Sequence, residues 1–215
     1  LNRIFELLQK RGLWDNTIIV ITSDHGEELY DHGFWGHTFF LYQEALHVPL
    51  IIKPHKASGI EPKRISKLVG TIDIAPTILE LAGFSFPKEI EGKSLVCLMK
   101  GECENSWIER YISYTSEAGC SRMALRDGYL KYLQGGWCKF ADVDLTRPDM
   151  LFDLKTDPLE KNDLSSSQVK ILENMQQDLE NWLLALNQKW PLRYQKPRKL
   201  PKQTEEQLKA LGYIQ

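Results

Sequence analysis

No stretch of the 215 residues approaches the ~18 consecutive apolar positions that a membrane-crossing helix needs, so no span is expected. The four cysteines, Cys97, Cys103, Cys120 and Cys138, include no CxxC pair, which argues against a four-cysteine zinc site. The chain is also too long for a dense disulfide scaffold. Scattered free thiols are the expectation. A single bridge, Cys97–Cys103 or Cys120–Cys138, is the alternative in an oxidising compartment, and the compartment itself is left open. An excess of either charge is missing too: 27 basic against 29 acidic residues give a net charge of -2 and no bulk reason to expect nucleic acid or an anionic membrane as partner. The opening LNRIFELLQKRG carries charge throughout and lacks the profile of a secretory signal. There is no internal repeat and no low-complexity tract. With 42% apolar and 26% charged residues, the composition is that of an ordinary globular chain able to bury one sizeable core and a second small one.

Periodicity divides the chain. Ile4, Phe5, Leu7 and Leu8 recur at helical spacing ahead of Gly12. Thr17 to Thr22 is a β-branched run with the length and composition of a strand buried on both faces of a parallel sheet, and Val48 to Lys53 is a second buried strand with Pro49 near its start. GTIDIAPTILELAGF predicts a helix capped by Asp73, with Pro76 in its first turn, Ile78, Leu79 and Leu81 facing inward, and Gly83 at its end. From Arg110 to Leu154 short alternating segments predict a small antiparallel sheet with a hairpin turn at Asp127-Gly128. A stripe of Val169, Leu172, Met175, Leu179, Trp182, Leu183 and Leu186 predicts a long helix lying across that sheet. The proline-rich basic tail, Gln188 to Lys202, reads as an extended surface connector, with a polyanion-binding role as the sharper alternative, and EEQLKALGYIQ as a short docking helix.

One stretch concentrates chemistry. Ser23 to His37, SDHGEELYDHGFWGH, holds three of the five histidines together with Asp24, Glu27, Glu28 and Asp31. Asp24 and His25 follow directly on the first predicted strand, and in open α/β sheets ligands bind outside the carboxyl ends of strands. Gly26 permits the unusual dihedrals that would let both side chains converge on one ion. A carboxylate oxygen with an imidazole nitrogen suits Mn²⁺, Zn²⁺ or Mg²⁺ and admits Ca²⁺. The plainer reading of such a pair is a cap beside a hydrogen-bonded histidine. An ion also wants a third protein donor, for which Glu27, Glu28, Asp31, His32 and His37 are the candidates. Glu27 and Glu28 read as surface acids beginning a helical turn, and His32 as a turn residue before Gly33. His37 closes the Phe34-Trp35-Gly36 loop, which can fold back over the strand end, so it is the candidate to supply a proton or to contact an anion. His47 is expected to pack beside the second strand, and His55 to sit in a loop.

TIIVITSDHGEEL, the glycine and histidine loop, LYQEALHVPLIIKP, GTIDIAPTILELAG with EGKSL, MLFDLKTDPLEKNDL and the ending LKALGYI occur in an order and spacing that resemble type I sulfatases of the alkaline phosphatase superfamily. The likeness covers nearly the whole chain. It implies an α/β fold, the C-terminal part of an alkaline-phosphatase-like α/β/α sandwich with a small antiparallel α+β subdomain. Residues 1–105 would be the C-terminal half of the catalytic domain, and residues 106–215 the subdomain with its basic tail. It also implies that Asp24 and His25 are metal ligands for one divalent ion, and that His37 is the catalytic and substrate-binding residue.

Two features depart from the family pattern. Many sulfatases place a sulfate-binding lysine in the loop before the VP strand, whereas Phe34 to Glu44 contains none, and His37 is its natural substitute. No Cys- or Ser-x-Pro-Ser-Arg motif occurs, so the nucleophile, formylglycine in true sulfatases, is expected in a missing N-terminal part. The expected activity is metal-dependent hydrolysis of sulfuric esters by the assembled enzyme, with the isolated chain inactive. The alternatives are a phosphodiesterase, a phosphonate monoester hydrolase or phosphoryl-group transferase of the same superfamily, and a noncatalytic module with a degenerate site. The implied partners are a sulfate or phosphate ester and the N-terminal half of the same enzyme.

Overall fold

The structure is a computed structural model and describes residues 1–189 apart from Thr38, Lys88, Ala118, Gly119, Trp137, Ala141 and Asp142. The basic tail from Trp190 onward and the docking helix expected at 205–215 lie outside the described residues. The chain forms two compact units, Leu1–Gln176 and Gln177–Gln215.

In chain order the first unit opens with helix α1 (Asn2–Lys10), strand β1 (Ile19–Thr22), the short strands β2 (Glu28–Leu29) and β3 (Trp35–Gly36), helix α2 (Gln43–Leu46) and strand β4 (Leu50–Lys53). Helices α3 (Ile74–Leu81) and α4 (Val96–Lys100) follow. Then come strands β5 (Arg110–Glu117), β6 (Cys120–Asp127), β7 (Leu130–Leu133), β8 (Lys139–Phe140), β9 (Val143–Asp144) and β10 (Met150–Asp153), and helix α5 (Val169–Lys189). Both predicted strands and all three predicted long helices form.

The first sheet differs from the expectation. β1 pairs with β4 antiparallel, Ile19 opposite Lys53 and Thr22 opposite Leu50, so the pairing is not that of a parallel sheet. Its residues are only half-buried, and Ile51 is 59% exposed. A continuous β-branched run marks a strand without fixing its partner's direction, and a two-stranded ribbon cannot shield both of its faces. One face is covered: Ile18, Leu50 and Ile52 pack against a core of Leu81, Leu95, Val96, Leu98 and Met99.

Helix α3 starts after Asp73 as expected, but the Asp73 carboxylate makes no cap to its own helix. It accepts hydrogen bonds from the Gly70 and Lys93 amides, at 2.9 and 2.8 Å, and from the Tyr111 hydroxyl at 2.6 Å, binding three segments together while 1% exposed. Pro76, Thr77 and Leu81 are the buried positions of α3, whereas Ile78 faces outward.

The second sheet has the order β10-β7-β6-β5, every pairing antiparallel. The β6–β7 hairpin turns at Gly128, whose φ of 58° only glycine adopts without strain. Against this sheet lies a second core of Cys120, Ala124, Leu133, Cys138, Leu145, Phe152 and Leu154, joined by the four consecutive residues Phe39 to Tyr42. Two phenylalanines, a leucine and a tyrosine in a row do not follow strand or helix periodicity. They are the anchor of the loop that carries His37. In the second unit the described residues continue α5 to Lys189, and Leu179 is buried, as Met175 is in the first.

The cysteines correct the free-thiol expectation. Cys97 is bonded to Cys103 and Cys120 to Cys138, and no free cysteine remains. Separations of 6 and 18 residues say little by themselves, but the fold brings the Cα atoms to 5.6 and 5.1 Å, within bonding range. The native protein is therefore expected to give no reaction with a thiol reagent, and all four cysteines to react after reduction and unfolding. Replacing both Cys120 and Cys138 by alanine should cost about 3 kcal/mol in a denaturant titration, the chain-entropy value for a loop of this length.

Candidate functional site

β1 ends at Thr22 and the chain turns through Ser23, Asp24 and His25. Gly26 makes that turn possible, though not by an unusual φ. A Cβ there would lie 1.9 Å from the Glu44 carbonyl oxygen, and the Gly26 amide donates to the Ala45 carbonyl at 2.8 Å. The strand end is thus pressed against helix α2, and only glycine fits.

The pair expected at this end is brought together. The Asp24 carboxylate is exposed, accepts the His25 amide at 3.0 Å, and is held below the usual carboxylate range first by that bond. The His25 Nδ1 atom lies 2.8 Å from the Gly26 carbonyl oxygen. A carbonyl can only accept, so Nδ1 carries the proton and Nε2 keeps a lone pair. That Nε2 stands 3.7 Å from Asp24 Oδ2. Two donors on one tetrahedral ion, each about 2.1 Å away, are separated by roughly 3.4 Å, so the donor set fits a divalent ion with a small side-chain adjustment.

His37 arrives from β3. Its ring stacks on His25 with centroids 3.8 Å apart and planes 16° from parallel. Its Nδ1 faces the Glu27 carboxylate at 3.1 Å, which sets the tautomer and leaves Nε2 free. His25, Glu27 and His37 each offer a ligand atom within 4.8 Å of the others. Of the five candidates for a third donor, Glu27 and His37 therefore reach His25.

Glu28 and His32 do not. Glu28, expected as a surface acid beginning a helical turn, sits in β2 with 2% exposure, and the His32 ring, expected in a turn, is buried in a stack on Tyr42, centroids 3.7 Å apart. The reason is an ionic knot beneath the loop. The His32 Nε2–H donates to the Glu160 carbonyl at 3.2 Å, which turns Nδ1 toward Glu28 Oε1 at 3.3 Å and Glu44 Oε2 at 3.7 Å. None of these three atoms has another hydrogen-bond partner among the described residues. Glu160 continues inward: its carboxylate accepts the Gln43 amide at 2.5 Å and pairs with Lys131 Nζ at 2.6 Å, both side chains at most 1% exposed. Lys131 also donates to the Gln43 side chain at 3.4 Å, and burial pulls it down to about 8 against the pull of Glu160. His32 and Gln43, on either side of His37, are thereby fixed to one residue. The sequence signal for this knot was slight: a lysine inside the apolar strand LKYL. His47 is exposed at the end of α2, away from the expected packing, while the His55 ring binds the Leu81 carbonyl at 2.9 Å.

The family model described as Sulfatase matches residues 1–84. Arylsulfatase K of Xenopus laevis is 32% identical over 190 residues, covering 83% of this chain and 33% of that protein. The N-acetylglucosamine-6-O-sulfatase of Bacteroides thetaiotaomicron is 34% identical over 173 residues, covering 76% of this chain and 29% of that protein. Among solved structures, the phosphonate monoester hydrolase of Silicibacter pomeroyi superimposes with a TM-score of 0.64 at 26% identity, covering 87% of this chain and 38% of that one. The chain spans about a third of the length of the curated relatives it matches.

The knot carries a pH signature. Burial, then Glu44, Asp31 and Glu160, push the Glu28 carboxyl from 4.5 up to about 7, with Lys161 opposing. Its native pKa therefore lies above its unfolded one. The folded protein keeps a proton that the unfolded chain has lost, so the Glu28 contribution is fully present below about pH 4.5 and fades as the pH rises through about 7. Denaturant titrations should show wild type losing roughly 2–3 kcal/mol across that window relative to Glu28→Gln. Parallel pH profiles would contradict it.

Proposed function

Because the chain belongs to the sulfatase family of the alkaline phosphatase superfamily, we propose that it supplies the metal-ligand and histidine portion of a site that hydrolyses sulfuric esters. The observation that carries this reading is the placement of the Asp24 carboxylate oxygen, the His25 Nε2 lone pair and the His37 ring side by side at the end of β1. Sulfatases are metal-dependent as a family, and a divalent ion held by Asp24 and His25 would neutralise charge on the transferred sulfuryl group. Glu27 is the third donor closest to hand.

The chain's own residues then do three things. Asp24 and His25 hold their lone pairs on one side of the strand end, pre-organised by the Gly26 carbonyl and the His25 amide. Glu27 orients His37 through Nδ1. In its protonated form, His37 presents Nε2–H to the ester. As the bond between sulfur and ester oxygen breaks, that proton passes to the departing alkoxide, and water supplies the oxygen that leaves as sulfate. His37 thus serves where many relatives use lysine. The nucleophile belongs to a further segment, since no Cys- or Ser-x-Pro-Ser-Arg motif occurs among these residues. We keep a division at residues 105 and 106 between the catalytic portion and the antiparallel subdomain as part of this proposal. Two disulfides suit an oxidising compartment.

A second reading, phosphonate or phosphate ester hydrolysis, is favoured by the likeness to the Silicibacter pomeroyi enzyme. The two readings share the ion and His37 and differ in the substrate.

Titration of the 215-residue chain with Mn²⁺ or Ca²⁺ is expected to show one site, weakened at least about tenfold by Asp24→Asn or His25→Ala. The chain alone should hydrolyse neither aryl sulfate nor aryl phosphate. A version extended by the nucleophile-bearing segment should prefer the sulfate, and His37→Ala in it should lower kcat by about 10²- to 10⁴-fold. Preference for the phosphate would select the second reading. Ion binding indifferent to both substitutions would leave a noncatalytic module with a degenerate site, and turnover by the short chain at a comparable rate would overturn the division of labour.

A further inference from the structure

Beneath the His37 loop lies a second concentration of charge, of the opposite sign to the knot. Phe40, 4% exposed, is flanked by two guanidinium groups, with Arg122 Cζ 5.0 Å and Arg147 Cζ 5.1 Å from its ring centroid. Arg122 is 5% exposed. It rises from β6 and donates through Nη2 to the Leu145 carbonyl, and its buried Nε–H has no partner among the described residues. Arg147 is half-buried, and its Nη1 donates to the Thr146 carbonyl at 3.0 Å. Among the described residues, no carboxylate stands within ion-pairing distance of either group. The other ionisable groups that act on Arg122 are Arg147 and the Tyr42 phenol. Burial first, and Arg147 second, pull it below the ordinary arginine range, with Tyr42 opposing.

A buried cation without a counter-charge, placed beside another cation, is an arrangement that proteins ordinarily neutralise. Two other buried ions are satisfied: Lys131 pairs with Glu160, and the Asp73 carboxylate accepts from three donors. Two guanidinium forks with unused N–H groups match the oxygens of a sulfate, phosphate or carboxylate, which they bind by charge-assisted hydrogen bonds. The half-buried Arg147 gives such a group its way in.

We propose that Arg122 and Arg147 form a second anion site, separate from the Asp24–His25–His37 cluster, that takes an oxyanion of the sulfate, phosphate or carboxylate class against Phe40. The oxyanion is either a free ion or an anionic substituent of the ester substrate. The second source rests on the sulfuric ester reading, and the first does not. Since Phe40 follows His37 by three residues and meets Phe34 edge-on at 5.6 Å, occupancy also stiffens the loop that carries the site histidine.

The test is thermal unfolding of the 215-residue chain in inorganic sulfate against chloride at matched ionic strength. Wild type should be stabilised saturably by sulfate. Arg147→Gln, half-buried and therefore tolerant of substitution, should weaken the apparent affinity about tenfold or more, whereas the Arg147-dependent response should persist in His37→Ala. An equal response of wild type and Arg147→Gln means adventitious ion binding and overturns the proposal. So does loss of the response in His37→Ala, which would place the anion at the other cluster, and so does any failure of sulfate to exceed chloride. A disulfated saccharide is then compared with its monosulfated form. Tighter binding of the disulfated form, dependent on Arg147, assigns the site to a substrate substituent, and equal binding assigns it to a free ion; both support the site. Because no turnover is measured, failure here is distinct from failure of the hydrolase reading, which the metal titration addresses.

Discussion

The Lys131–Glu160 pair, 2.6 Å long and shut off from water, is the contact on which the arrangement of the site depends. Burying two charges is costly, and their attraction repays the cost only where the remaining donors and acceptors are also used. Here they are used on the site loop. Glu160 binds the Gln43 amide through its carboxylate and the His32 ring through its carbonyl, and Lys131 reaches the Gln43 side chain. To make these bonds Glu160 takes a left-handed backbone conformation, φ 53°, which a non-glycine residue adopts only where its surroundings hold it. The loop between is further held by Phe39 to Tyr42, buried in the core of the second sheet. The loop that carries His37 is therefore anchored by residues 88 to 128 positions downstream of the groups they bind.

This anchoring explains why exposed side chains can be well ordered. Asp24, His25 and His37 all face solvent, where long flexible groups would ordinarily lose any fixed geometry. Each is short, and each is tied: Asp24 to the His25 amide, His25 to the Gly26 carbonyl, and His37 to Glu27. Gly26 then presses the strand end onto α2, whose start is set by the knot. Acidic and basic groups both act on Tyr42, whose hydroxyl is pushed up to about 12 by burial first, with Glu28 and Glu160 opposed by the two arginines.

Much of this was legible in the residues. Helical spacing located α1, α3 and α5, the β-branched run located β1, and Asp127-Gly128 located the β6–β7 turn. Adjacency of Asp24 and His25 after a strand, with His37 ending a glycine loop, pointed to a cluster that the fold does bring together, because local chain geometry governs all three. What escaped was non-local. The antiparallel pairing of β1 and the burial of Glu28 and His32 depend on partners far along the chain, and the two disulfides on the fold that brings their Cα atoms to 5.6 and 5.1 Å. Asp73 illustrates the limit, since its position before α3 was read correctly while its three hydrogen-bond donors come from loops and a strand that no local pattern announces.

Likeness to sulfatases and the local chemistry converge on one claim, that Asp24 and His25 share a divalent cation. The direct measurement is anomalous diffraction from crystals of the chain grown with Mn²⁺. The account predicts a peak within coordinating distance of both Asp24 Oδ2 and His25 Nε2. A peak held by other residues, or density showing the two side chains turned apart with ion present in excess, would contradict it.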